Sequence, residues 1–264
     1  MARKFSDPTG IAAYKPVEIA ARIEEAGVGK TKLSLLQMSA LSLLAGVFIA
    51  FGAAFYTLVM TGVDPAAGPA RLLGGVAFSL GLILVVVGGA ELFTGNALMV
   101  MAWVDRRIGT VAMLRAWGIV YVGNLVGALA MAVLVTYSGT LSGPTGELAA
   151  RIAEAKMSLA PLDGLVRGIL CNALVCLAVW LTFAAQTVTG KILAILWPIT
   201  AFVALGFEHS VANMYLIPVG LMNGAEGGVL DFLANLVPVT LGNIIGGAGG
   251  VALAYWAAYR RPTA

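Results

Sequence analysis

The sequence predicts an all-α integral membrane protein with six transmembrane helices, arranged as two three-helix halves that enter the membrane from opposite faces. Three observations predict it. Of 264 residues, 60% are hydrophobic and 11% charged, whereas a soluble domain carries about a quarter charged residues; so few charges cannot cover a water-soluble surface. Six apolar runs are each long enough to cross a bilayer core of about 30 Å, which takes about 20 helical residues. Two short motifs from the first half recur in register in the second.

The N-terminal segment, residues 1–32, is set apart by its charge. Between 15 and 30, Val17, Ile19, Ala20, Ile23 and Ala26 alternate with Lys15, Glu18, Arg22, Glu24 and Glu25 at helical spacing, before Gly27 and Gly29. This pattern predicts an amphipathic helix lying at the membrane interface, followed by a linker. So much charged sequence before the first apolar run argues against a cleaved signal peptide. The membrane domain, 33–264, holds runs at 33–62, 72–104, 110–138, 165–186, 192–222 and 232–259. Cytoplasmic segments keep an excess of Lys and Arg. One set of alternate loops and tails holds 12 of them (Arg3, Lys4, Lys15, Arg22, Lys30, Lys32, Arg106, Arg107, Arg115, Lys191, Arg260, Arg261), and the other holds Arg71, Arg151, Lys156 and Arg167. Both termini are therefore expected in the cytoplasm, with the long 139–163 segment outside.

Other classes fail on composition. A net charge of +3, spread in short clusters, gives nucleic acid no basic face to bind. Cys171 and Cys176 stand five apart in an apolar run, fit neither a disulfide framework nor a metal site, and read as small core hydrophobes. Gly27-Val28-Gly29-Lys30-Thr31 ends like a phosphate-binding loop but lacks its first glycine and a preceding strand.

The repeat rests on two motifs. Gly89-Ala90-Glu91 followed by Asn96 matches Gly206-Phe207-Glu208 followed by Asn213, and Gly123-Asn124 with Gly127 matches Gly242-Asn243 with Gly246; the glutamates lie 117 residues apart and the asparagines 119. Each half has an odd number of spans, so the second copy is inverted, a layout of channels and transporters. The second and fifth runs exceed a straight span and carry glycine, a carboxylate and polar residues mid-run. Lipid cannot satisfy free backbone groups, so the pattern predicts two protein-covered interruptions, near 92–95 and near 209–213. Exposed helix N-termini there favour a negatively charged substrate.

Within these runs, His209 is the only histidine. An ionisable group deep in a membrane is functional by default, and imidazole changes charge near neutral pH. Most of the 33 glycines read as packing contacts between helices. Glu91 and Glu208 are expected to accept hydrogen bonds from backbone donors freed at the interruptions, and to stay off the path, where a carboxylate would repel an anion. Asn96 and Asn213 close the same motifs and belong with that support. Asn124 and Asn243 either satisfy groups there or touch substrate, and Asn172 is either interhelical glue or pore lining; spacing leaves both choices open.

These motifs resemble those of the formate/nitrite transporter family. Glu91-Leu92-Phe93-Thr94-Gly95, Cys171-Asn172-Ala173-Leu174-Val175-Cys176, Gly206-Phe207-Glu208-His209-Ser210-Val211-Ala212-Asn213 and Gly242-Asn243 carry the likeness across nearly the whole chain. The resemblance implies an aquaporin-like arrangement, a homopentamer with one pore per protomer in the bacterial inner membrane, and passage of small monovalent anions without cofactor or enzymatic chemistry. It implies that His209 is the central histidine, Thr94 the threonine of the interrupted second helix, and Lys156 the lysine that attracts the anion from the outer vestibule. Phe78 and Leu82 resemble the cytoplasmic constriction, Phe202, Asn172 and Val175 stand near the outer one, and Leu92 and Phe93 belong to a mobile loop. The residues after Lys156, Met157-Ser158-Leu159-Ala160, lack histidines that some formate members carry.

A bare anion in a narrow apolar pore faces a steep desolvation cost, which falls if the crossing species is neutral. His209, directly or through water, is therefore expected to supply a proton so that formic or nitrous acid crosses. Formate leads, with nitrite and hydrosulfide as alternatives. A water or glycerol channel shares the inverted layout, but its paired Asn-Pro-Ala motifs are absent; a membrane enzyme would lack reactive groups. The N-terminal segment is a candidate pH gate.

Overall fold

The computed structural model describes residues 13–260. Arg3, Lys4 and Arg261, counted above toward the cytoplasmic side, lie outside the described residues, as does the start of the 1–32 segment. The described chain is helical: α1 (Pro16–Thr31), α2 (Leu35–Val59), α3 (Gly68–Gly88), a 3-10 turn (Gly95–Met99) running into α4 (Val100–Val104), α5 (Thr110–Tyr137), α6 (Pro144–Met157), α7 (Pro161–Ala184), α8 (Val188–Ala204), α9 (Ser210–Met222), and α10 (Val229–Ile244) continued by a π-helical stretch (Ile245–Leu253) into α11 (Ala254–Tyr259). Five helices, 35–59, 68–88, 110–137, 161–184 and 229–259, are long and apolar enough to cross a membrane. Their outward faces carry large apolar side chains such as Phe51, Leu73, Val122, Leu170 and Val237, a surface suited to lipid or to other copies of a membrane protein.

Local signals set the ends. Ser34 Oγ accepts from the Gln37 N–H while Gln37 Oε1 accepts from the Ser34 N–H, a reciprocal cap that starts α2. Proline stands in the first turn of α1, α3, α6 and α7, where its missing N–H costs nothing. Gly89 and Gly206 follow the ends of α3 and α8 in the left-handed region, at φ 81° and 71°, a conformation that glycine adopts without a Cβ penalty.

These glycines move the interruptions from where the sequence pattern puts them. The second apolar run is interrupted at 89–94 rather than 92–95, and the fifth at 205–209 rather than 209–213. Residues 210–213 are already the first turn of α9, because His209 caps it.

The segment 139–163, expected only as an outer loop, contains α6. Its buried side, including Thr145, Ala149 and Ala153, faces α9, where a Cβ on Gly220 would meet the Ala149 oxygen at 2.5 Å. The helix α1 likewise spends its apolar face on protein rather than on the membrane interface: Gly27 lies against Met99 and Ala102, and buried Glu24 meets Arg260 at 2.8 Å and Arg107 at 3.6 Å. Burial pushes the Glu24 carboxyl above its usual range, against the pull of Arg260.

Helices α2 and α5, and α7 and α10, touch backbone to backbone. A methyl on Gly127 would overlap the Leu43 carbonyl oxygen, and one on Gly242 the Leu165 carbonyl oxygen. Gly127→Ala is expected to force α2 and α5 apart at a cost of about 1–3 kcal/mol, read as a lower melting temperature of the detergent-solubilised protein. Gly249→Ala, with nothing within 4 Å of the added methyl, should leave the melting temperature in place.

Candidate functional site

Each interruption leaves backbone groups without helical partners, and an asparagine answers them. At the first, Asn124 Oδ1 accepts from the Phe93 N–H at 2.9 Å, while its Nδ2 donates to the carbonyls of Ser42 at 2.7 Å and Glu91 at 3.0 Å. At the second, Asn243 Oδ1 accepts from the Ser210 N–H at 2.9 Å, and its Nδ2 donates to the carbonyls of Gly168 at 2.8 Å and Glu208 at 2.9 Å. Both asparagines are buried. The open choice between break support and substrate contact resolves toward support.

The expected role of the glutamates needs correction. Among the described residues no backbone donor reaches either carboxylate. Glu91 accepts from Lys30 Nζ at 2.7 Å on both oxygens and from Asn96 Nδ2 at 2.9 Å. Glu208 accepts from Lys156 Nζ at 2.9 and 3.0 Å and from Asn213 Nδ2 at 2.7 Å. The reason is valence: a carboxylate only accepts, whereas an amide satisfies a free N–H and a free C=O together. Asn213 also donates to Asn235 Oδ1, and Asn235 donates to the Lys156 carbonyl, tying α9, α10 and α6 into one network.

Three cavities lie in series between the two lysines. A cavity of about 480 Å³ is lined by Lys30, Glu91, Leu33, Leu82, Leu92 and Asn96 among others. One of about 220 Å³ is lined by Lys156, Glu208, Arg167, Tyr56, Phe78, Phe202 and His209 among others. Between them sits a space of about 10 Å³, room for one water at most, walled by Ile49, Phe78, Leu82, Leu92, Val175, Ile199, Phe202 and His209. Leu82 and Leu92 are shared with the α1-side cavity; Phe78, Phe202 and His209 are shared with the α6-side cavity. Every wall of the narrow space except His209 is hydrocarbon.

His209 is held at both ring nitrogens. Nδ1 accepts from the Ala212 N–H at 3.1 Å, and Nε2 lies 2.9 Å from Thr94 Oγ1. Since a backbone N–H only donates, the proton of the neutral ring is assigned to Nε2 from this network. Nε2 then donates to Thr94 Oγ1, and the threonine hydroxyl hydrogen remains free to turn toward another acceptor.

Several expected lining residues stand elsewhere. Asn172 lines none of the three cavities; its Nδ2 donates to the carbonyls of Thr94 at 3.2 Å and Asn243 at 2.6 Å, which makes it glue. Phe93 also turns away, packing edge-on against Trp117 and Tyr121 with centroids 6.0 and 4.8 Å apart. Phe78 belongs with Phe202, 5.5 Å away edge-on, on the α6 side of the narrow space, so Leu82 and Leu92 alone pair on the α1 side. Lys30 was missed as a site residue. It precedes Lys156 by 126 residues, and the change of offset from 117 hides it from a search at constant spacing.

A helical membrane domain with two charged cavities joined through an apolar neck defines a channel or transporter of small solutes. The chain belongs to the formate/nitrite transporter family: the family model, "Formate/nitrite transporter", matches residues 17–257. It is 40% identical to the formate channel FocA of Escherichia coli strain K12, over 93% of this chain and 94% of that one, and 43% identical to the uncharacterized transporter YrhG of Bacillus subtilis strain 168, over 95% and 96%. Among solved structures it is similar to an FNT family ion channel, with TM-score 0.87 and 30% identity over 93% of this chain and 99% of the other. It is also similar to a pentameric formate channel with formate bound, with TM-score 0.77 and 35% identity over 86% and 98%. The family is one of transporters, not enzymes.

Proposed function

We propose that the protein passes small monovalent anions, formate foremost, across the bacterial inner membrane through one pore per protomer of a homopentamer, with a proton carried alongside. One observation carries this reading: two cavities, each with a lysine–glutamate pair, meet at a neck whose one polar wall is His209. An anion in that neck would lose its water to hydrocarbon at a steep cost, and the neutral acid would not. His209 lines the neck, and Thr94, which lines none of the three cavities, holds its Nε2 from behind at 2.9 Å. A proton taken up from the water of the α6-side cavity and relayed by His209 to formate at the neck gives formic acid and returns the ring to its neutral state. The FocA relatives and the formate-bound neighbour support formate as the leading substrate.

The same reading takes the chain as six crossing segments in an inverted repeat, with α3 and the 95–104 stretch forming one crossing and α8 and α9 another. The matched bonds of Asn124 and Asn243, and of Lys30–Glu91 and Lys156–Glu208, support it, and they extend the repeat to α1 and α6. The α1-side cavity then faces the cytoplasm, with both termini, and the α6-side cavity faces outward.

The test is flux into liposomes holding the purified protein, offered formate, nitrite and hydrosulfide separately at several external pH values. Formate flux is expected to lead and to rise as pH falls. Faster nitrite or hydrosulfide would replace the substrate, and water permeability without anion flux would overturn the transport class.

A further inference from the structure

We propose that Arg167, backed by Arg71, rather than Lys156, supplies the uncompensated positive charge that draws the anion into the α6-side cavity, and that its guanidinium favours planar two-oxygen anions. The inference rests on the anion-transport reading above.

Lys156 is a poor source of that field. Its ammonium lies 2.9 and 3.0 Å from the two oxygens of Glu208, with 15% and 6% of the two side chains exposed. The pair carries no net charge, and at a distance it acts as a dipole whose attraction for an anion falls steeply. Arg167 lines the same cavity. Its carbonyl accepts from the Glu208 N–H at 3.3 Å, so its backbone is fixed beside the second interruption while its side chain is exposed. Seven ion pairs join described residues, and Arg167 is in none of them. Asp163, one turn earlier on α7, and Glu208 both fall outside 4.0 Å of it. Arg71 is also in none, and its Nη2 lies 3.7 Å from where a Cβ on Gly206 would stand, next to another residue of the cavity wall.

Two guanidinium groups without carboxylate partners at the rim of a cleft with apolar walls focus a positive potential there and raise the local anion concentration. The chemistry of the group adds selectivity. The planar N–H fork of arginine matches the two oxygens of a carboxylate. Formate and nitrite present two oxygens in one plane; hydrosulfide presents a single atom and gains only from the charge.

The test compares KM and maximal rate of formate and hydrosulfide uptake into liposomes at low and high ionic strength, for the full chain and its Arg167→Gln, Arg167→Lys and Arg167→Gln/Arg71→Gln variants. Arg167→Gln is expected to raise the formate KM about 3- to 10-fold at low salt, with maximal rate held and the salt dependence flattened. The double variant should raise it further. Arg167→Lys should restore the hydrosulfide KM and the salt dependence while leaving the formate KM raised. Unchanged KM and salt dependence in the double variant would overturn the proposal, as would a loss of maximal rate or protein yield with the salt dependence intact, the mark of a structural role. Absence of all anion flux in the unaltered protein would sink the transport reading and this inference together, an outcome read before any variant is compared.

Discussion

Replacing His209 by asparagine is expected to abolish proton-driven accumulation of formate while leaving the fold intact. Two roles meet in that ring. Its Nδ1 caps α9 by accepting from the Ala212 N–H, and its Nε2 reaches Thr94. Asparagine is among the best N-cap residues, so His209→Asn keeps the cap and removes the titratable group. An imposed pH gradient should then no longer concentrate formate in liposomes, with proton-coupled uptake slowed by about a hundredfold or more, the lower end of general acid–base effects. His209→Phe removes both roles. It should lose coupling and also about 1 kcal/mol of stability, the usual worth of a cap, read as a lower melting temperature. Gradient-driven accumulation that persists in His209→Asn would take the proton away from this residue.

The second large effect lies at the buried pair. Glu208 is 5% exposed, and Lys156→Met would leave its carboxylate with only the Asn213 amide. Removing one partner of a buried pair costs about 3–5 kcal/mol, because the remaining charge is left uncompensated, whereas replacing both partners by neutral groups is often nearly free. Lys156→Met should therefore produce a large drop in melting temperature, and Lys156→Met/Glu208→Gln should regain most of it. The matching change at Lys30 should cost less, since that side chain is 28% exposed and water screens the loss. A double variant no more stable than Lys156→Met would mean that the pair's charge is not what holds α6 to the second interruption.

These two sites differ in how much of them the sequence shows. His209 stands out unaided, because one histidine in an apolar run is costly unless used. The pairing of Lys156 with Glu208 does not. The residues lie 52 apart, on different helices, and nothing local connects them. Lys30 and Glu91 are the same case at 61 residues. The fold was legible where the signal is one-dimensional: apolar runs gave the long helices, and Glu91 and Glu208 of the recurring motif fall within the non-helical stretches 89–94 and 205–209. The ends of those interruptions shifted because Gly89 and Gly206 adopt positive φ and His209 acts as a cap, and each of these depends on what packs around it. The helix α6 was passed over because its alanine-rich buried face is too weakly apolar to mark a helix beside the membrane runs.

Composition and the length of the apolar runs determined by themselves that the chain is a helical membrane protein, and the spacing of short motifs pointed to two matching halves and to His209 as the residue to test. Such signals survive in sequence because burial in lipid and helical periodicity act residue by residue. Only the tertiary structure decided which side chain answers which group: asparagines rather than glutamates at the interruptions, Phe93 and Asn172 outside the three cavities, and Leu92 in the walls of two of them. It also paired Lys156 with Glu208 while leaving Arg167 in none of the ion pairs among the described residues. Those choices depend on distances of a few ångströms between helices far apart in the chain, where a hydrogen bond or ion pair forms or is lost over a fraction of its length.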